Sequence, residues 1–488
     1  MSIIHDQAMN YVYQQVLQRL LSFFSREERT ALQLLIQRLV VAAGGMERIG
    51  HYKVLLAHPG TRDSCYTLAL LRAAQLNIAG RAPATFQIRV ATLHLGATTP
   101  ACIENVHRSY SALFIYDDPR VEVLMVDHRE VLPFNHLASL SETGREMNRI
   151  NLLMLGHLRG PAGVFETCDD GYLAMAEFYG HMVRWEGGVD AMVGGETARQ
   201  QKQFIAGLTR GAQKIGLSFA SHPPQGFEGL FSMLDQLGGD VYREVYADID
   251  TAQWRPREGF NARRGTAYLD IQDLVPDNME DRWPLLTDFL GLQPEEIETH
   301  LRENDYASPL LSAHMRGLQG AYLRGQTYER GFSEYVQRAL LMMRRRRLPE
   351  RLCDQVLVQY GGAQAIAEQR SKADIETQQT LGLNEAQLLC LLFAPFVDKA
   401  ARLEEFLRRC HPGMLVAMPD LHNLMQGHVV AEQIRQWVVD VSGLSIDLIC
   451  RVYRTESVVG TELEILEQAA VIDGASGAHT PGERYLRR

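Results

Sequence analysis

The chain has 488 residues, of which 46% are hydrophobic and 22% are charged, a composition typical of globular proteins. This length exceeds a single ordinary hydrophobic core, so two or three domains are expected. The formal net charge is −10, from 49 basic and 59 acidic residues. That charge excludes a global electrostatic attraction to nucleic acid or to anionic membranes, although a local basic patch could still bind an anion.

The seven cysteines are scattered along the chain and form no CxxC pair and no zinc-type Cys/His spacing. Reduced thiols in a cytoplasmic protein are therefore the expected state. The N-terminal residues lack the basic segment and apolar core of a signal peptide. Because charged residues interrupt every apolar run, we expect a soluble protein with no membrane span. The negative net charge leads us to expect no nucleic-acid partner.

Residues 1–50 are predicted to form two amphipathic helices. Apolar residues recur at helical spacing, and Ser25 and Glu28 have the spacing of a capping box. Gly44 and Gly45 end the second helix. Packing against the next domain explains this helical N-terminal region, so we assign it no chemical role.

The stretch at residues 53–74 has the pattern of a buried strand, a tight loop and a helix. Its apolar run ends at His58-Pro59-Gly60, a polar turn follows, and an apolar helix begins. A helix N-terminus presents free N–H groups and the positive end of the helix dipole, which both favour an anion. The loop is therefore either an anion site or an ordinary connection at the edge of a parallel sheet.

Residues 51–330 are predicted to form one α/β domain. Strands are expected at 53–57, 88–93, 121–126 and 267–271, with helices between them. This alternation is typical of a parallel sheet covered by helices on both faces, which makes a three-layer domain. Ligands of such sheets lie at the carboxyl ends of the strands. Residues 151–265 are rich in glycine and mostly helical in character, and we interpret them as a large insertion.

Residues 331–470 lack strand patterns and are predicted to form a helical C-terminal domain. Asn384 and Gln387 form a capping pattern before a strongly apolar helix. The run of four arginines at 344–347 is typical of a solvated helix face or of a contact with an acidic protein partner. Residues 471–488 are polar and contain glycine and proline, so we expect a disordered tail.

Four stretches resemble, in the same order, motifs of the sulfotransferases that use 3′-phosphoadenosine 5′-phosphosulfate. The first is the strand–loop–helix unit at 53–74. The second, Thr92-Leu93-His94-Leu95, is similar to the family's THLP segment. The third, VLMVDHREVL at 123–132, resembles the family's strand and RDPREV-type turn. The fourth combines IQDL at 271–274 with FLGL at 289–292 and is similar to the family's YEDL and FLGL segments.

This resemblance implies a P-loop-type α/β fold and the transfer of a sulfuryl group to a hydroxyl or amine of a small molecule, glycan or peptide. His94 would be the base that takes the proton of the acceptor. The loop would hold the 5′-phosphosulfate, and basic residues elsewhere would bind the nucleotide phosphates. The implied cofactor-binding residues are Gly60, Thr61, Arg62, Ser64, Arg129 and Arg264.

The chain departs from the family pattern at several of these positions. Asp63 places a carboxylate in the loop where the phosphates would lie. Val126 stands where the family has the arginine that binds the 3′-phosphate, and Phe134 stands where a serine is usual. His128 replaces a proline, and the wide gap between the third and fourth stretches requires the insertion at 151–265. The departures leave the activity of the implied site open.

Two hypotheses other than the enzyme therefore remain open. The chain could be a catalytically degenerate sulfotransferase-fold scaffold that binds a partner protein through residues 331–470. It could also be a regulatory protein that binds a different nucleotide. No HExxH, GxxxxGK[ST] or GxSxG motif occurs, and no metal-ligating spacing is evident, so the sequence predicts no metal site.

Overall fold

One six-stranded sheet organises the computed structural model, which describes residues 3–96, 98–158, 168–243, 245–246, 265–274, 279–293, 308–345 and 350–456. The strands are β1 (Lys53–Ala57), β2 (Gln87–His94), β3 (Val121–Asp127), β4 (Glu130–Pro133), β5 (Ala191–Gly194) and β6 (Ala267–Asp270). They lie in the order β4-β3-β2-β1-β5-β6. All neighbouring pairs are parallel except β3 and β4, which form an antiparallel hairpin at one edge.

The helices described before residue 293 are α1 (Ile3–Phe23), α2 (Arg26–Ala42), α3 (Arg62–Ala79), α4 (Pro100–Ala112), α5 (Glu142–His157), α6 (Asp170–Met182), α7 (Ala198–Lys214), α8 (Gly226–Gln236) and α9 (Met279–Pro284), which continues as a π-helical turn at Leu285–Phe289. Five of them begin at a Ser or Thr whose side chain caps the first turn, namely α2, α3, α4, α5 and α7. The predicted capping box of α2 is confirmed, because Ser25 Oγ accepts from the Glu28 N–H and Glu28 Oε2 accepts from the Ser25 N–H.

The described part of the chain beyond residue 308 is helical. Its helices are α10 (Pro309–Tyr322), α11 (Tyr328–Arg345), α12 (Glu350–Tyr360), α13 (Ala363–Leu381), α14 (Glu385–Phe393), α15 (Val397–Ala400), α16 (Leu403–Cys410), α17 (Met418–Met425), α18 (Glu432–Ser442) and α19 (Ile446–Arg454). The predicted cap of α14 is confirmed, since Asn384 and Gln387 bond each other's backbone N–H groups. The predicted tail at 471–488 lies outside the described residues.

Helices cover both faces of the sheet. Val54 and Leu56 of β1 belong to an apolar cluster with residues of α1 to α4, whereas Leu55 belongs to a second cluster with residues of α5 to α8. This division follows from the alternation of side chains along a strand. Strand β1 is buried on both faces, which is consistent with the continuous apolar run at 54–57.

The order of the parallel strands, β3-β2-β1-β5-β6, is that of a doubly wound Rossmann-type sheet. The chain adds β2 and β3 on one side of β1, and later adds β5 and β6 on the other side. In sheets of this kind, ligands bind outside the carboxyl ends of the strands, where the order reverses. In this protein that position lies between β1 and β5.

The four strands predicted from the sequence are confirmed and lie in one sheet. The sequence did not predict β4 or β5. Strand β5 lies inside the segment that we interpreted as a mostly helical insertion. It pairs with β1, with Ala191 opposite Val54 and Met192 opposite Leu55. This segment therefore completes the sheet as well as contributing helices α6 to α8.

The C-terminal helices share their apolar core with the second face of the sheet. Residues of α14 and α19 belong to the same cluster as Leu55 of β1. Helix α5 connects the two regions, since Arg149 donates to the Gly443 carbonyl at 2.9 Å. A Cβ built on Gly156 of α5 would lie only 2.6 Å from Leu391 of α14, so the two helices pack closely. Among the described residues, no helix has the length and apolar character needed to cross a membrane.

Candidate functional site

The loops that follow the parallel strands emerge together at one edge of the sheet. Ala57 at the end of β1 is paired with Ala91 of β2, and His94 at the end of β2 is paired with Asp127 at the end of β3. On the other side of β1, the last residues of β5 and β6 are also paired. The predicted convergence of these loops is therefore present, and the candidate site is built from the residues at this carboxyl edge.

His58, directly after β1, fixes the first of these loops from within. Its ring is fully buried, with Nδ1 2.9 Å from Ser64 Oγ and Nε2 2.9 Å from Ser109 Oγ. Burial lowers the pKa of His58 to about 3, so the ring is neutral near pH 7 and donates from only one of its nitrogens. His58 is therefore a structural link from the loop to α3 and α4.

The neutral His58 predicts a specific loss of stability in acid. Its folded-state pKa lies below the unfolded value of 6.5, so the unfolded state takes up the proton first as the pH falls. From pH 7 to pH 5, the wild-type protein should lose about 2 kcal/mol more free energy of unfolding than a His58→Gln variant. Urea unfolding of both proteins at the two pH values measures this difference, and equal losses would show that the folded state protonates His58 at little cost.

Gly60 and Thr61 shape the start of α3. Gly60 has a φ of +80°, and a Cβ at this position would overlap the Cys102 carbonyl oxygen of α4, so only glycine fits. Thr61 is the N-cap of α3, and its Oγ1 accepts from the Ser64 N–H at 3.4 Å. Ser64 is buried and its hydroxyl bonds His58 and the Thr61 carbonyl. Thr61 and Arg62 are exposed, so these two predicted phosphate ligands face solvent.

His94 and Asp127 form the most unusual part of the carboxyl edge. Only 8% of His94 and 6% of Asp127 is exposed, and their backbones lie opposite each other in the parallel register. His94 Nδ1 and Asp127 Oδ1 are buried without a hydrogen-bond partner among the described residues. Burial lowers the pKa of His94, and the neighbouring Asp127 opposes this shift. Polar atoms left in this state are costly and are found at functional sites.

Helix α5 holds Asp127 in place. Asp127 Oδ2 accepts from the backbone N–H of Ser141, the N-cap of α5, at 2.7 Å. Gly144 in the first turn lies so close that a Cβ there would collide with Asp127 Oδ1. The positive end of the helix dipole favours the ionised carboxylate. The first turn of α5 therefore fixes the position of the Asp127 carboxylate at the end of β3.

Arg129 lies close in sequence to this pair but is bound elsewhere. It is 3% exposed, and one guanidinium nitrogen lies 2.6 Å from Glu177 Oε1 and 2.9 Å from Asp240 Oδ1. Burial and the neighbouring Glu177 raise the pKa of Asp240 to about 6. The predicted phosphate ligand Arg129 thus has its charge matched by carboxylates from two other segments. Arg264, the last predicted ligand, lies outside the described residues.

Two departures from the sulfotransferase pattern, Val126 and Phe134, lie in packed positions. Val126 is 1% exposed in the apolar cluster of the second sheet face. Phe134 is buried and packs edge-on against Tyr110, with ring centroids 4.9 Å apart. Asp63, in the first turn of α3, accepts from Gln200 Nε2 at 3.4 Å. Val126 lies in β3 and Phe134 follows β4, so both are outside the loop after β1.

The sequence analysis missed an acidic group where the strand order reverses. Glu196 follows β5 and accepts from the Tyr268 hydroxyl at 3.1 Å, and burial raises the pKa of Glu196. Gln201 Nε2 lies 3.2 Å from Asp270 Oδ2 at the end of β6. The sequence Gly-Gly-Glu-Thr at 194–197, which joins an apolar run to a helix cap, was the signal that could have identified this loop. The carboxyl edge beside β1 is therefore rich in carboxylates and amides.

Comparisons with models of known protein families, with curated proteins and with solved structures found no match. The chemistry of the candidate site consequently depends on its own residues. They supply a buried imidazole, an adjacent carboxylate, and a glycine-shaped loop at the start of a long helix.

Proposed function

We propose that the protein transfers a sulfuryl group from 3′-phosphoadenosine 5′-phosphosulfate to a hydroxyl or amine acceptor at this carboxyl edge. The observation that carries the proposal is the buried pair of His94 and Asp127, paired in register with Nδ1 and Oδ1 unused. A neutral imidazole beside a fixed carboxylate is the arrangement that a general base needs. The ordered resemblance of four sequence stretches favours sulfuryl transfer as the reaction.

His94 would take the proton from the acceptor while the acceptor oxygen or nitrogen forms a bond to sulfur. The bond from sulfur to the phosphate oxygen breaks, and 3′-phosphoadenosine 5′-phosphate leaves with the bonding electron pair. Asp127 would stabilise the imidazolium that results. The exposed Thr61 and Arg62 at the start of α3 would bind the 5′-phosphate, supported by the helix dipole. The acceptor is a small molecule, glycan or peptide.

A second candidate function is a catalytically degenerate scaffold that binds a partner protein through residues 331–470. The pairing of Arg129 with Glu177 and Asp240 favours it, because the charge of this predicted phosphate ligand is already matched. The carboxylate of Asp63 in the first turn of α3 also opposes a bound phosphate. Binding of the nucleotide separates the two functions, because only the enzyme requires it.

The enzyme proposal predicts that 3′-phosphoadenosine 5′-phosphate binds the folded protein and raises its melting temperature as the nucleotide concentration increases. Replacing Arg62 by Ala should weaken this binding by about 1–3 kcal/mol, since a hydrogen bond to a charged group is lost. Replacing Asp63 by Asn should strengthen it, because a like charge is removed. Isothermal titration calorimetry measures both changes.

The matched control is Arg330→Ala, which removes an exposed arginine on α11. This variant should bind the nucleotide as the wild type does. If the wild-type protein does not bind the nucleotide, the enzyme proposal fails and the scaffold is favoured. Equal weakening by Arg62→Ala and Arg330→Ala would place the nucleotide away from the loop after β1.

A further inference from the structure

Three helices of the C-terminal region bring together a histidine and two carboxylates. His314 lies on α10, Asp374 on α13, and Glu385 at the start of α14. One ligand atom from each of the three lies within 4.8 Å of the other two. These residues are far apart in the sequence and follow no motif spacing, which is why the sequence analysis predicted no metal site.

His314 is held with one ring nitrogen aimed at the carboxylates. Its side chain is fully buried, and Nδ1 lies 2.8 Å from the Tyr328 hydroxyl oxygen. Nε2 has no hydrogen-bond partner among the described residues, although Asp374 Oδ1 lies 3.4 Å away. That separation is longer than an ordinary N–H···O hydrogen bond. A buried polar nitrogen without a bond is costly, so its direction requires an explanation.

The separation fits two ligands of one metal ion. In a tetrahedral zinc site with bonds of about 2.0–2.2 Å to nitrogen and oxygen, neighbouring ligand atoms are roughly 3.3–3.5 Å apart. His314 Nε2 and Asp374 Oδ1 already have this spacing. The side chains of Asp374 and Glu385 are 45% and 31% exposed, and a Glu385 oxygen already lies within 4.8 Å of the other two ligand atoms. We propose that His314, Asp374 and Glu385 bind a Zn²⁺ ion.

The donor atoms favour zinc over the common hard cations. Mg²⁺ and Ca²⁺ prefer sites made only of oxygen, whereas an imidazole nitrogen with carboxylates suits zinc. Burial lowers the pKa of His314, which keeps the ring in the neutral form that binds metals. The Tyr328 hydroxyl oxygen can accept a hydrogen bond from the Nδ1–H group of His314, and the unprotonated Nε2 can then coordinate the metal. Three protein ligands leave the fourth position to water.

Arg370 supports Glu385 from the side. Its NH2 group lies 3.2 Å and 3.0 Å from the two carboxylate oxygens, and the guanidinium lies 4.5 Å from the centre of the Tyr328 ring. A carboxylate has about four lone-pair positions, so Glu385 can accept from Arg370 and still coordinate a metal. The arginine orients the ligand, as groups around metal sites commonly do.

The test is titration of the EDTA-treated full-length protein with Zn²⁺ in a calorimeter. The wild type should bind one ion at this site. Asp374→Asn and Glu385→Gln should each weaken that binding at least tenfold. Both positions are partly exposed, so these variants are expected to fold. The matched control is Glu376→Gln, a carboxylate two residues along α13 that is outside the cluster, and it should bind zinc as the wild type does.

Co²⁺ provides a second readout, because tetrahedral coordination gives an intense visible absorption band. This band should appear with the wild type and be lost in Asp374→Asn. The proposal is overturned if the wild type binds no zinc. It is also overturned if Asp374→Asn, Glu385→Gln and Glu376→Gln all bind zinc equally, since the ion would then lie on other histidines of the chain.

Discussion

Replacing Asp118 by Asn is expected to lower the free energy of unfolding by about 3–5 kcal/mol, because it leaves a buried charge without its partner. Asp118 and Arg72 both have fully buried side chains, and their ion pair measures 2.7 Å. Arg72 also donates to Gln75 Oε1 and to the Leu113 and Phe114 carbonyls. These neutral acceptors cannot replace a carboxylate, and an arginine does not deprotonate in compensation.

The neighbouring Asp117 provides the matched control, since it is exposed. Asp117→Asn should change the free energy of unfolding by less than about 0.5 kcal/mol. Adding Arg72→Met to Asp118→Asn should recover part of the loss, because both members of the buried pair are then neutral. Urea denaturation compares the four proteins. A loss in Asp118→Asn no larger than in Asp117→Asn would contradict the role of Asp118 as the partner that the buried Arg72 requires.

The ion pair of Asp118 and Arg72 should also affect how the stability of the protein depends on pH. The two arginines, Arg120 and Arg72, outweigh the effect of burial and lower the pKa of Asp118 to about 2. The pair therefore stays ionised and continues to stabilise the fold down to low pH. The contribution of His58, whose pKa is also lowered, begins to be lost earlier as the pH falls, because its unfolded-state pKa of 6.5 is near neutrality.

The sequence was sufficient for the strands that are buried on both faces. The runs at 54–57 and 123–126 are continuous and apolar, and both lie in the sheet where predicted. Strand β5 is only four residues long, and its last residue begins a Gly-Gly pair. So short a segment has no periodic pattern of apolar residues that could distinguish a strand from a turn. Its position beside β1 is set by tertiary pairing, which a local pattern does not contain.

The candidate site was predictable only in part. His94 was identified from the resemblance of residues 92–95 to the THLP segment, but its pairing with Asp127 depends on the register between β2 and β3. Arg129 was predicted as a phosphate ligand from the resemblance of residues 123–132 to a sulfotransferase motif. Its buried partners, Glu177 and Asp240, come from distant segments that only the fold brings together. The cluster of His314, Asp374 and Glu385 was missed for the same reason.

The second large effect is expected at His94. Replacing His94 by Ala should reduce sulfuryl transfer by about 10²- to 10⁴-fold, the usual contribution of a general base. Affinity for 3′-phosphoadenosine 5′-phosphate should be nearly unchanged, because the proposed nucleotide contacts lie in the loop after β1. The control is His428→Ala, which removes an exposed histidine and should retain full activity.

The most direct measurement follows radioactive sulfur from labelled 3′-phosphoadenosine 5′-phosphosulfate to a pool of phenols, sugars and tyrosine peptides. Transfer by the wild type and by His428→Ala, together with its loss in His94→Ala at unchanged nucleotide affinity, is the predicted result. Equal transfer rates in the wild type and His94→Ala, or a wild type that binds the nucleotide without transferring the label, would contradict the role of His94 as the base.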